Sequence, residues 1–290
     1  MKKRIGSTFL VLISFTSIFI ASCSRDDPNA PSQSSPNTSD LAESTSTEHA
    51  CGNIFYPLAL GNEWIYKIEY GDLSSDQESS DFVLTVSDVQ DSTAEISALN
   101  YHTGIVTKTQ VMCMEGAILN FPLTELNMVF AELDGSLDIE YQSGVFMPSA
   151  ADFETDGWVI SWSTKFNASG SLEANYEGEN LRATLSESPI EMDWKVISQD
   201  EVIQTPAGEF SNVKKIQRDI NIEVSSFEAV IEGNAFNVAT TLTIQTDLYY
   251  SPNIGLVQEK INLAYIKLFG VKFPIETSGK MVLTSYSLNN

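Results

Sequence analysis

The chain has 290 residues, with 16 Lys and Arg against 39 Asp and Glu, a formal net charge of −23 at pH 7. Phosphate backbones and anionic bilayers are bound through clustered Lys and Arg, so this balance excludes nucleic acid as a partner and makes adsorption to acidic lipid unfavourable. With two histidines in the whole chain, multi-histidine zinc chemistry is excluded as well.

Lys2, Lys3 and Arg4 precede an uncharged run from Phe9 to Ile20, which leads into Ile20-Ala21-Ser22-Cys23. A cationic start, a short apolar stretch and small residues before a cut site are the parts of an export signal. The run is 12 residues long, whereas a helix takes about 20 to cross a hydrocarbon core. A permanent transmembrane anchor is therefore not expected. Ile20-Ala21-Ser22-Cys23 resembles the lipobox of bacterial lipoproteins. That resemblance implies removal of residues 1–22, a diacylglycerol on the Cys23 thiol and often a further acyl chain such as palmitate on the freed amine. Two or more chains bind a membrane stably where one binds marginally. The alternative is an ordinary secretory signal cut after Ser22, which leaves Cys23 as a thiol. Ser24 resembles the residue that sorts lipoproteins to the outer membrane where a cell has two membranes.

Residues 23–50 follow as a tether. From Ser24 to Ala50 the chain is mostly Ser, Thr, Pro, Asp and Asn, with almost nothing apolar and no aromatic residue, a composition that cannot bury a core and is expected to be a disordered stalk. A flexible chain of this length has a root-mean-square span of roughly 30 Å. Removal of the leader takes Lys2, Lys3 and Arg4 with it, leaving 13 cationic residues against 39 acidic ones and a net charge near −26.

Residues 51–290 hold every aromatic side chain beyond the leader and are expected to fold as one domain. Period-two alternation dominates. Ile190, Met192, Trp194 and Val196 alternate with Glu191, Asp193 and Lys195, and Trp158, Ile160 and Trp162 alternate with Val159, Ser161 and Ser163. Both read as half-buried strands. The same pattern recurs in Phe82 to Val86, Ala94 to Ala98, Leu172 to Tyr176, Ile216 to Val224 and Leu242 to Tyr250. Turns are predicted at Asn167-Ala168-Ser169-Gly170, at Pro206-Ala207-Gly208 (type II), at Ser251-Pro252-Asn253-Ile254-Gly255 and at Phe269-Gly270. Glu125 to Leu133 also fits a helical face and is the candidate for a single short helix. Leu256 to Leu263 and Ala264 to Phe273 read as two strands, apolar on both faces in places. The fold class is all-β: a strongly curved antiparallel sheet, either a half-barrel or a closed barrel, with at most one short helix.

Three segments carry a family resemblance. Tyr56-Pro57-Leu58-Ala59-Leu60-Gly61-Asn62-Glu63-Trp64-Ile65-Tyr66 resembles the opening of a broad group of exported bacterial lipoproteins. Thr205-Pro206-Ala207-Gly208-Glu209-Phe210-Ser211-Asn212-Val213 resembles a turn of that group, and Tyr249-Tyr250-Ser251-Pro252-Asn253-Ile254-Gly255-Leu256-Val257 a hairpin. The group is the TapB-like lipoproteins, similar in turn to LolA and LolB, and the resemblance implies a curved antiparallel sheet with an apolar concave face. Asn253 and Ile254 depart from the usual Gly and Val, and residues 100–190 carry no signature. Read on their own chemistry, the three segments are turn and strand-start punctuation.

Candidate chemistry is sparse. With Cys23 lipidated, Cys51 and Cys113 are an even pair in an oxidising compartment and are expected to form a disulfide. The rival is a thiol nucleophile or a soft copper site from Met112, Cys113 and Met114 with His102, although in a strand the two methionines point away from Cys113. Ser211-Asn212-Val213-Lys214 matches S-x-x-K but follows a turn into a strand, where acyl-transfer enzymes place this motif on a helix. Asp152-Phe153-Glu154-Thr155-Asp156-Gly157 looks like the start of a calcium loop, yet its twelfth position is Ser163. No catalytic residue, metal or cofactor is assigned.

The reading is a membrane-tethered, non-catalytic extracytoplasmic protein that binds a lipid or acyl chain on the concave face, with Trp158, Trp162 and Trp194 as ligand-face candidates. The first alternative is a lipoprotein with a filled core that works through envelope protein partners. The second is a hydrolase with paired carboxylates, which needs two acids facing one another in a cleft.

Overall fold

The computed structural model describes residues 49–70, 80–101, 104, 106–120, 134–154, 161–176, 179–231, 234–268, 270–274 and 279–289. The leader, Cys23, the stalk up to residue 48, His102, the candidate helix Glu125 to Leu133, and Trp158 lie outside the described residues.

In chain order the strands are β1 (His49–Ala50), β2 (Leu58–Ala59), β3 (Glu63–Tyr70), β4 (Ser80–Gln90), β5 (Thr93–Asn100), β6 (Val106–Met114), β7 (Ala117–Ile118) and β8 (Asp134–Gly144). After a five-residue helix, α1 (Ala150–Glu154), come β9 (Ser161–Tyr176), β10 (Glu179–Thr205), β11 (Gly208–Ile231), β12 (Asn234–Ser251), β13 (Gly255–Leu268), β14 (Val271–Pro274) and β15 (Gly279–Ser287). β1 and β2 pair with each other. The rest form one 13-stranded antiparallel sheet in the order β7-β6-β5-β4-β3-β15-β13-β12-β11-β10-β9-β8, with β14 on β13. Most neighbours are consecutive hairpins. The exception is β15, which inserts between β3 and β13 and so brings the end of the chain beside its first long strand.

Alternation sets the inner face. Ile190, Met192 and Trp194 are buried while Glu191, Asp193 and Lys195 are exposed, and the same parity buries Ile216, Ile220 and Ile222 on β11 and Leu242, Ile244 and Leu248 on β12. These side chains join those of β3, β4, β5, β13 and β15 in one apolar cluster.

The sheet is curved and open. β7 and β8 stand at the two ends of the strand order, and their ends approach where Ile118 forms an isolated bridge with Met147, just past β8. No ladder joins them among the described residues. Curvature comes from bulges, which bend and twist a strand. Register shifts fall at Leu185/Ser188 on β10 and at Val224/Phe227 on β11, and serine hydroxyls take up the freed backbone groups: Ser186 N donates to Ser225 Oγ (3.1 Å) and Glu187 N to Ser169 Oγ (3.0 Å). The bend carries the β10–β11 turn onto β15, where Ala207 N donates to Leu283 O (3.3 Å).

Three sequence expectations need correction. Asn167 to Gly170 is not a turn but the middle of β9, paired on both sides. Gly170 has φ 140° opposite Leu137, and a methyl group there would collide with the adjacent Ser136 carbonyl oxygen. The glycine marks a close crossing of strands, where composition alone suggests a reversal. The Pro206-Ala207 turn exists and Gly208 takes the positive φ expected of it (138°), but Gly208 already begins β11, so the turn's own third position is Ala207 and the turn is not type II. Finally, one strand, β13, runs unbroken through Leu256 to Leu268. Leu256 and Val257 are both buried because a register shift there sets an extra residue against β12.

Candidate functional site

The three signature segments, far apart in sequence, meet at one end of the sheet. Trp64 Nε1 donates to Ile254 O (2.6 Å) and the Tyr66 hydroxyl to Leu256 O (3.0 Å). The Tyr56 and Tyr250 hydroxyls lie 2.7 Å apart, and Asn253 N donates to Ile54 O (2.6 Å). Asn253 adopts φ 62°, a conformation Asn tolerates. Gly255 takes φ 108°, a backbone conformation that favours glycine, where a Cβ would lie in ordinary contact 3.4 Å from the Trp64 indole nitrogen. These segments join strands to one another.

Residues 51–57 cover the same end. Cys51 and Cys113 form a disulfide, Cα to Cα 5.1 Å, so neither is a thiolate for catalysis or copper. Asn53 Nδ2 donates to Gly116 O and Pro148 O (both 2.8 Å), and its Oδ1 accepts from Phe55 N (2.9 Å). Phe55 packs edge-on against Phe153, ring centroids 4.8 Å apart. Residues 51–57 are therefore stitched as a cap over the apolar core.

Below the cap runs a polar row that sequence reading missed. The register places Trp162, Trp194, Arg218, Thr246 and Ile261 side by side on β9 to β13. Trp162 stacks on Trp194 (centroids 5.7 Å, 9° between planes), and Phe146 meets Trp194 edge-on at 4.9 Å. The Arg218 guanidinium lies 5.0 Å from the Trp194 ring centroid, a cation–π distance. Arg218 reaches across β12 to Glu259 on β13, Nη2 to Oε1 2.9 Å, and both side chains are 1% exposed. Burial pushes the Tyr66 hydroxyl well above its ordinary pKa, and neighbouring Tyr250 and the Glu259 charge add to the shift. Trp194 Nε1 and Thr246 Oγ1 are buried without a hydrogen-bond partner among the described residues. Taking two charges out of water costs several kcal/mol per ion before their attraction offsets it, so this row is an expensive feature of an otherwise apolar interior. The sequence carried one signal for it: Arg218 sits in the inward register of Ile216, Ile220 and Ile222.

The other candidates separate. Trp162 and Trp194 share the inner face, Trp194 buried and Trp162 half-buried; Trp158 lies outside the described residues. Met112 is half-buried and Met114 exposed. Ser211 is exposed, and Lys214 Nζ donates to Gln199 O (2.9 Å). Asp152 caps α1, accepting from Ser149 Oγ (2.7 Å) and Ser149 N (3.2 Å). Glu259 is the one buried carboxylate among the described residues, and it faces Arg218.

No protein-family model matches the chain, and no curated protein matches its sequence. Among solved structures, a candidate lipoprotein from Parabacteroides distasonis is 18% identical, with 81% of this chain and 99% of that one covered and a TM-score of 0.44. A candidate exported protein with a YmcC-like fold from Bacteroides fragilis is 13% identical over 81% of this chain and 100% of its own, with a TM-score of 0.45. At this level of likeness, function has to be argued from the residues of this chain.

Proposed function

We propose that the chain is a lipid-anchored protein outside the cytoplasm, that it catalyses no reaction, and that it binds an apolar ligand, a lipid or acyl chain, on the concave face of its sheet. The leader and Cys23 support the address; in a cell with two membranes, Ser24 favours the outer one. The TapB-like resemblance agrees with that address and adds no activity. The observation that carries the binding reading is the Trp194, Arg218, Thr246 and Glu259 row inside an apolar core. Well-packed hydrophobic residues in place of a buried ion pair are often more stable, and locally unfavourable choices in a consistent fold concentrate at functional sites. A hydrolase is disfavoured because Glu259 faces a cation and not a second acid.

One observation favours a second reading. Trp194 is 1% exposed and covered by Phe146, so the protein's own side chains fill the face at that level. On this reading the protein works through surface contacts with envelope partners.

Native mass spectrometry of the full-length protein, exported to an oxidising compartment and followed by solvent extraction, separates the two. A stoichiometric lipid adduct is the expected result; a clean apo mass transfers the role to the surface. Incorporation of labelled palmitate that disappears in Cys23→Ala tests the anchor.

A further inference from the structure

We propose that the buried row on β10 to β12 receives the polar head of a neutral, hydrogen-bond-accepting amphiphile, an acyl ester or amide, in preference to a free fatty acid. This rests on the inner-face binding reading above. Trp194 Nε1 and Thr246 Oγ1 belong to side chains that are 1% and 0% exposed, and neither atom has a hydrogen-bond partner among the described residues. They stand on either side of Arg218 in the register Trp194, Arg218, Thr246. An indole N–H can only donate, so what it meets must be an acceptor.

Charge decides which acceptor. Glu259 lies 2.9 Å from Arg218, so the pair is already neutral. A carboxylate head would add an uncompensated negative charge to a dry site, which is the costliest group to bury. An ester or amide carbonyl brings acceptor lone pairs and no charge. The acyl chain has apolar neighbours in the same inner register, where Ile190, Ile222 and Leu242 are paired across β10, β11 and β12 and all three are buried. Trp162, stacked on Trp194 and donating from Nε1 to Phe146 O (3.1 Å), is half-buried, the more exposed of the two indoles.

The test uses the full-length protein with its disulfide formed, and monooleoylglycerol and oleate as probes at about pH 8, where oleate is ionised. Affinities are read by titration of tryptophan fluorescence and by native mass spectrometry. Wild type is expected to bind monooleoylglycerol about tenfold or more tightly than oleate. Thr246→Val, which removes the hydroxyl and keeps the shape, should weaken monooleoylglycerol about tenfold while leaving the urea midpoint of the ligand-free protein unchanged or higher. Trp194→Phe should weaken the same probe, and it serves if the valine variant does not fold. Equal affinity for the two probes, or unchanged monooleoylglycerol affinity in both variants, overturns the head-group assignment and leaves inner-face binding standing. If neither probe binds, the binding reading itself falls and the head-group assignment falls with it.

Discussion

Arg218 and Glu259 are the residues whose replacement says most about the interior. Arg218→Met leaves a carboxylate buried without its cation and should cost about 3–5 kcal/mol, whereas Arg218→Met with Glu259→Met removes both charges and should bring stability back to within about 1 kcal/mol of wild type or above it. Urea midpoints of the two single variants and the double variant check this; an additive double variant would mean that the pair is not coupled. Tyr66 makes a separate prediction about pH. Burial holds its folded pKa well above the ordinary tyrosine value of about 10, so the unfolded chain releases a proton that the folded chain keeps. The associated stability is intact below about pH 10 and is lost as pH rises from there toward the folded value. Tyr66→Phe should therefore make alkaline unfolding shallower by up to about 1.4 kcal/mol per pH unit, measured as urea stability from pH 9 upward. At neutral pH the same variant should lose about 1 kcal/mol with its bond to Leu256 O.

At the scale of elements, the β8–β9 pair depends on glycines at close approach. Gly170 and Gly135 face backbone carbonyls of the opposite strand at positive φ, 140° and 125°. Gly170→Ala should destabilise by about 2 kcal/mol or more. Gly279→Ala is the control, because its Cβ would meet only Ile261 Cδ1 at 3.6 Å; thermal midpoints of the two variants make the comparison. The same glycine shows why part of the fold was illegible. Asn-Ala-Ser-Gly has the composition of a turn, but whether such a segment reverses or passes beneath a neighbour depends on Ser136, more than thirty residues away. Where alternation was unbroken, as in Ile190 to Trp194, the sequence reading and the strand agree residue by residue, because period two is local.

At the scale of the whole molecule, the disulfide ties the entry of the chain to β6 across 62 residues. Closing a loop of that length restricts the unfolded chain by about 4 kcal/mol. Cys51→Ser with Cys113→Ser should lower the stability of the protein by about that amount, read as the shift in urea midpoint against the oxidised form. A much smaller loss would indicate that Asn53, Phe55 and Tyr56 hold the cap without help. The cap also explains how three signature segments act together. Tyr56 and Trp64 contact the β12–β13 turn, while the Pro206-Ala207 turn reaches β15 only because the sheet is bent.

Sequence alone determined the all-β class, the excess of acidic over basic residues and the strands with clean alternation. These follow from composition and from spacings of a few residues, which are local properties of the chain. The tertiary structure decided that the sheet stays open between β7 and β8, that Asn167 to Gly170 lies within a strand, and that Trp162 and Trp194 stack beside Arg218. It also brought Arg218 to Glu259, 41 positions apart, across an intervening strand. Register and curvature are set by pairings between distant residues, and no local pattern encodes them.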